Sequence, residues 1–165
     1  MRTNMTTKHL AELNAIEDEF PEPVSFGKRP GKKLQAATWP NAMREIESIL
    51  SWIITNKDRY VTFDITSRKN RYVQARATDD GRIFIETTGD KFTSNDPYTM
   101  NDLVHMVRLG WCPTGTGEVT PNWWREADPR WFYAQPMMAE LLVRTIIDIH
   151  KASNPSDIKI KVGTF

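Results

Sequence analysis

Three histidines, one cysteine and a few closely spaced carboxylates are the side chains of this sequence best suited to chemistry. A helical metal site needs two ligands about one turn apart, because that spacing puts both on one face. His9, His105 and His150 have no second His, Cys or carboxylate at i+4 or i−4. His105 reads as a surface residue in mid-helix. His150 falls in the last turn of a helix, where a protonated imidazole would complement the dipole. Cys112 follows a helix end instead of preceding a helix start, so no helix N-terminus activates it as a nucleophile. The pairs Glu17/Glu19 and Asp79/Asp80 sit in a terminal helix and a turn, both solvated settings. Gly110 to Gly117 does not form a GxGxxG after a strand. Gly31-Lys32-Lys33 lacks both the loop and the hydroxyl of a phosphate cradle. No catalytic residue, metal site or cofactor is expected.

Binding features are better represented. The basic run Lys28-Arg29-Pro30-Gly31-Lys32-Lys33 offers Lys28, Arg29, Lys32 and Lys33 to an anionic partner such as nucleic acid. Tyr60, Tyr72, Arg71 and Arg76 lie on neighbouring strands, and such a set can stack bases, but the aromatic-rich RNA-binding strand motif is missing. Six aromatic residues (Trp111, Trp123, Trp124, Trp131, Phe132 and Tyr133) fall within 23 positions of loop-like sequence. They can fill the underside of the sheet, or supply rigid anchor area to a protein partner.

The elements that must position these residues follow from periodicity. Thr6 to Phe20 carries Leu10, Leu13 and Ile16 at helical spacing, and Pro21 and Pro23 stop it. Residues 22–34 are rich in Pro, Gly and basic side chains and read as a linker, so residues 1–36 form a helical arm plus basic linker. A single α+β domain is expected over residues 37–165. Trp39-Pro40 opens an amphipathic helix with Met43, Ile46, Ile49, Leu50 and Ile53 on one side. The period then changes to two: Val61/Phe63/Ile65 oppose Tyr60/Thr62/Asp64, Val73/Ala75/Ala77 oppose Tyr72/Gln74/Arg76, Ile83 and Ile85 share one face of a third run, and Asp79-Asp80-Gly81 is a hairpin turn signal. This predicts a three-stranded antiparallel meander. Thr99 to Asp102 resembles a capping box for a short helix ending at Gly110, with Leu103, Met106, Val107 and Leu109 apolar. A loop from Trp111 to about Arg130 follows, then a helix opened by Pro136. The alternating tail Ile158 to Val162 is expected as an edge strand that extends the meander, its lysines discouraging further pairing. Helices packed on one face of an antiparallel sheet define the fold class.

The totals set outer bounds. Lys plus Arg number 22 against 21 for Asp plus Glu, so the global attraction to phosphate of most nucleic-acid binders is missing. One cysteine fits a reducing compartment. With no apolar run behind the N-terminal Met1 to Met5 and no membrane-length apolar stretch, a soluble cytoplasmic protein is expected.

Several short pieces occur together and in order: Arg71-Tyr72-Val73-Gln74, Ile83-Phe84-Ile85-Glu86, Leu109-Gly110-Trp111-Cys112-Pro113, Pro121-Asn122-Trp123 and Leu142-Val143-Arg144-Thr145. This order resembles the bacterial TY-Chap proteins, grouped with YbjN and type III secretion chaperone-like domains, over about residues 39–157. The resemblance implies helices on an antiparallel sheet and a non-catalytic chaperone-like role whose partner is a protein or extended peptide. A homodimer is a further expectation by analogy of fold. The recurring residues are Tyr72, Gln74, Glu86, Gly110, Trp111, Pro113, Asn122 and Trp123. Combined with the aromatic cluster, the candidate partner-binding residues are Tyr60, Tyr72, Gln74, Trp111, Trp123 and Trp124. The alternatives are a nucleic-acid-associated factor using the basic linker and, behind it, a small hydrolase with a spatially assembled site.

Overall fold

The computed structural model describes residues 27–115 and 120–165. The expected helix over residues 6–20, with His9 and Glu17/Glu19, lies outside the described residues. The first helix, α1 (Trp39–Thr55), starts on Thr38, whose Oγ1 accepts from the Asn41 N–H at 3.5 Å. Pro40 sits in the first turn, where a missing N–H removes no helix bond. Ala42, Ile46, Ile49, Leu50 and Ile53 form its buried stripe, and Met43 is half-buried at its margin.

Five strands follow the pattern of alternation: β1 (Arg59–Ile65), β2 (Tyr72–Ala77), β3 (Ile83–Thr87), β4 (Trp123–Ala127) and β5 (Ile158–Thr164). The sheet order is β4-β3-β2-β1-β5, with every neighbouring pair antiparallel. The expected meander is its centre, and β5 adds to β1 as the expected edge. The β2–β3 turn needs Gly81, whose φ is +84°, and Thr78 N–H donates to Arg82 O at 2.8 Å. Val61, Phe63, Ile65, Val73, Ala75, Ala77, Ile83 and Ile85 are all buried on one face. A one-residue slip of β1 would expose three of them, at about 1.5–3 kcal/mol for each large side chain, so register is strongly set.

The helix α2 (Met100–Leu109) has the expected caps: Thr99 and Asp102 form the capping box, and Gly110 closes the helix at φ +96°. Of its expected apolar residues, Met106, Leu103 and Leu109 pack on the core and Val107 does not. Only Met106 is buried, and Met100, Val104 and Val107 are exposed. The last helix, α3 (Ala134–Arg144), begins two residues before Pro136 and runs on as a π turn over Thr145–Ile149. It packs beside α1, and both cover the same face of the sheet.

Three further expectations are corrected. Residues 123–127 are a strand, not loop. Strand β4 hides from a period-two search because Arg125 takes an inward position; its guanidinium is satisfied by Gly110 O at 2.9 Å. The described part of the basic linker is packed, not free: Leu34 is in the core, Gln35 and Ala36 N–H donate to the Glu45 carboxylate, and Lys28 N–H donates to Ser48 Oγ at 3.3 Å. His150 is fully buried, so it does not cap its helix as an exposed cation.

Candidate functional site

The sheet has a second face that no described element covers, and its residues follow directly from register. Tyr60, Arg76, Phe84 and Glu126 form one row across β1 to β4; Thr62, Gln74, Glu86 and Trp124 form the next. Asp64 and Tyr72 begin a third. Side chains alternate along each strand, so all of these point away from the helices.

The middle row is a continuous hydrogen-bonded strip. Thr62 Oγ1 donates to Gln74 Oε1 at 2.9 Å, and Gln74 Nε2 donates to Glu86 Oε2 at 3.4 Å. The other Glu86 oxygen accepts from Thr120 Oγ1 and, at 3.4 Å, from Asn122 Nδ2. Asn122 Nδ2 also lies 3.1 Å from the Tyr72 hydroxyl, and Asn122 Oδ1 accepts from Gly89 N–H at 3.0 Å. Burial pushes the Tyr72 hydroxyl above its ordinary pKa; the Asn122 bond opposes this, and the Glu86 and Asp64 carboxylates add to it. Tyr72 is therefore a protonated donor at neutral pH. The strip joins Tyr72, Gln74, Glu86 and Asn122, which recur together in the sequence resemblance.

Aromatic rings flank the strip. Phe84 and Trp124 stack with centroids 6.0 Å apart, and the Arg76 guanidinium lies 4.5 Å from the Phe84 centroid. On the other side, Tyr60 packs on Phe165 at 5.2 Å. Gly163 makes room for this ring: a Cβ there would stand 2.1 Å from Tyr60 Cζ.

The expected anchors therefore divide. Tyr60, Tyr72, Gln74 and Trp124 share the uncovered face. Trp111 and Trp123 do not fit a role as anchors, because they are 3% and 6% exposed on the helix side. Trp111 Nε1 donates to Thr145 Oγ1 at 2.8 Å, fastening the loop after α2 to the π turn. Adjacent residues of a strand point to opposite faces, so burying Trp123 presents Trp124. Thr62, Phe84 and Thr120 are additions that sequence reading missed. The first two lie opposite Gln74 and Arg76 in register, a relation visible only once strand pairing is known. Trp131, Phe132 and Tyr133 form a separate exposed cluster at the start of α3.

Both sheet edges are partly closed by the chain itself. Cys112 exchanges backbone hydrogen bonds with Trp124 at 2.8 and 3.1 Å on the β4 edge, and Ile160 N–H donates to Lys32 O at 2.8 Å on the β5 edge. Lys28, Arg29, Lys32 and Lys33 are all exposed. Lys33 bridges Lys159, so it stands beside the lysines of β5, whereas Lys28 and Arg29 lie against α1.

Beneath the sheet, His150 lies with Thr87, Arg71 and Tyr98. Thr87 Oγ1 donates to Tyr72 O at 3.0 Å and so accepts from His150 Nε2, 2.7 Å away, which leaves Nδ1 bare. Burial, reinforced by the Arg71 and Arg68 charges, pushes the imidazole pKa down to about 3. Tyr98 is pushed up to about 12, chiefly by burial, and its hydroxyl donates to Thr88 O at 2.6 Å. His150, Thr87 and Tyr98 brace the core and none of them opens on the uncovered face, whereas the 2% exposed Arg71 also lines a cleft beside Tyr72. Among the described residues, no three His, Cys, Asp or Glu are grouped to hold a metal, and no helix is long and apolar enough to cross a membrane.

The family model TY-Chap3, described as "T3SS (YopN, CesT) and YbjN peptide-binding chaperone 3", matches residues 35–163. No curated protein and no solved structure matches the chain. Among the described residues, the matched range includes the three α-helices, β1 to β4 and all of β5 but its last residue, and it starts at the residue after Leu34.

Proposed function

Because the chain belongs to the TY-Chap3 family of peptide-binding chaperones, we propose that it holds an extended segment of a client protein across the uncovered face of its sheet, as a binding module and not a catalyst. The observation that carries this reading is the Thr62–Gln74–Glu86–Asn122–Tyr72 strip, flanked by Tyr60 and by Trp124, which stacks on the buried Phe84. Amide and hydroxyl groups at successive strand positions can exchange their mutual hydrogen bonds for those of a peptide backbone, and flat rings give contact area at low entropy cost. The partly closed edges favour the face over strand addition, which needs a free row of backbone groups.

Backbone amide NMR tests this, with peptides selected on the protein from a random-sequence display library. Shifts centred on Thr62, Gln74 and Glu86, and weaker binding in Gln74→Ala, are expected. Shifts confined to α1, α2 and α3 would overturn the assignment. The rival, a nucleic-acid-associated role, is favoured only by the exposure of Lys28, Arg29, Lys32 and Lys33. It predicts oligonucleotide binding that falls steeply with salt.

A further inference from the structure

At one end of the uncovered face a cleft of about 640 Å3 opens beside β1, β2 and β5, lined among others by Asp64, Arg68, Arg71, Tyr72, Lys159 and Lys161. Its charges are unevenly matched. Arg68 and Arg71 share one carboxylate: Arg68 Nε donates to Asp96 Oδ2 at 2.8 Å, and Arg71 Nε stands 3.6 Å from the same oxygen. Lys161 pairs with Asp64, while Lys159 is exposed and has no ion pair among the described residues. Four cations thus share two carboxylates. Arg71 is 2% exposed, with its guanidinium 4.0 Å from the Tyr98 ring centroid, and its Nε and Nη1 donate no hydrogen bond among the described residues. Its Nη2 donates to Asp96 O and it shares the Asp96 carboxylate with Arg68, so the two idle donors of this buried guanidinium remain a cost that a further anion would relieve.

We propose that this cleft receives a carboxylate of the bound segment, either an acidic side chain or a free C-terminus. The inference rests on the peptide-binding reading above, and Tyr72 makes the connection. It lines the cleft and also ends the Glu86–Asn122 strip. Side chains two apart on a strand are about 7 Å apart, so a peptide lying over Gln74 and Tyr72 reaches the cleft with its next residue. Phe92 adds an apolar wall. The preferred client is thus apolar and polar along the strip, and acidic at the end that meets β5.

The test is calorimetry of the full chain with three short synthetic peptides of alternating Thr and Val. One carries two Glu residues near an amidated C-terminus, the second has Gln in their place, and the third is the Gln peptide with a free carboxylate. The Glu peptide is expected to bind about tenfold or more tighter than its amidated Gln counterpart, as one charge-assisted contact allows. If the free C-terminus is the ligand, the third peptide gains instead. Lys159→Glu, at an exposed position that leaves the core untouched, should remove the gain, as should Arg71→Gln where thermal melting shows it folded. Equal affinity for all three peptides overturns the cleft assignment; if Gln74→Ala weakens them all, the sheet-face reading survives. A gain that persists in Lys159→Glu also overturns it. A gain lost in Lys159→Glu but untouched by Gln74→Ala and Trp124→Ala keeps the cleft and sinks the sheet-face reading. No binding by any peptide sinks both. Competition by an oligo-dT as strong as by the Glu peptide would reassign the cleft to phosphate.

Discussion

Acid should destabilise this fold well above the carboxylate range, through His150. In the unfolded chain its imidazole titrates near its ordinary value of 6.5; in the fold, burial and two arginines hold its pKa at about 3. Between those values the unfolded state binds more protons, so stability rises with pH and is lost as pH falls from about 6.5 towards 3. Protonation would place an N–H on Nδ1, which has no acceptor among the described residues, near Arg71 and Arg68. The loss between pH 6 and pH 5 comes to about 1.2 kcal/mol, given a slope that approaches about 1.4 kcal/mol per pH unit.

Asp80, Asp96, Asp102 and Asp128 also have lowered pKa values. Their contribution is present above their ordinary value of 3.8 and is lost below it, so the pH 6 to 5 interval isolates the histidine. Urea unfolding at pH 7, 6 and 5 measures the slope in the wild type and in His150→Gln. The Gln side chain amide keeps a donor for Thr87 Oγ1 but does not titrate. The wild type should lose stability over this interval and the variant should not. Equal slopes in the two proteins, or a wild type that gains stability in acid, would refute the assignment of a neutral buried His150.

The two adjacent tryptophans should separate stability from binding. Trp123→Ala should cost about 3–5 kcal/mol in chemical unfolding, as core truncations do, whereas Trp124→Ala should weaken peptide binding with a smaller loss of stability. Gly163→Val should displace the Tyr60 ring, seen as shifted Tyr60 and Phe165 resonances and weaker peptide binding. Leu34→Ala should cost about 2–5 kcal/mol if residues 27–36 belong to the domain, and an unchanged urea midpoint would show that they do not. Alanine at Lys28, Arg29 and Lys32 should leave peptide binding intact; salt-sensitive oligonucleotide binding that vanishes with these changes would promote the rival role.

What was legible in the sequence depended on whether one face of an element was uniformly apolar. The strands β1 and β2 alternate throughout and β3 departs only at the buried Phe84, so their pairing and their inner face could be read directly. Strand β4 could not, because Arg125 occupies an inward position and finds its partner in Gly110 O, fifteen residues away. Missing that strand also hid which tryptophan faces which way, since the orientation of Trp123 and Trp124 depends on register alone. Leu34 sat within a run of basic residues, prolines and glycines that masked its burial. The turn chemistry at Gly81 and Gly110 was legible because only a positive φ fits those closures. The π turn that carries His150 inward was not, because nothing in the local pattern separates it from an ordinary last helical turn.

The division of labour between the two faces of the sheet explains why the residues of the recurring motif serve different ends. Trp111, Gly110 and Trp123 hold the loop after α2 and the strand β4 against the helices, which fixes β4 beside β3. That placement lets Asn122, at the entrance to β4, reach Tyr72 on β2 and Glu86 on β3 at once. The buried tryptophans are thus positioning residues for the strip, although they offer a client no surface themselves. Substituting Trp111 with Phe removes the bond to Thr145 but keeps most of the buried ring, at a cost of about 1 kcal/mol in stability. If the loop works as described, Trp111→Phe should also loosen Asn122 and weaken peptide binding, with Tyr72 and Glu86 resonances moving together. A loss of stability with those resonances unmoved would separate the core from the face and leave Asn122 positioned by Gly89 and Thr120 alone.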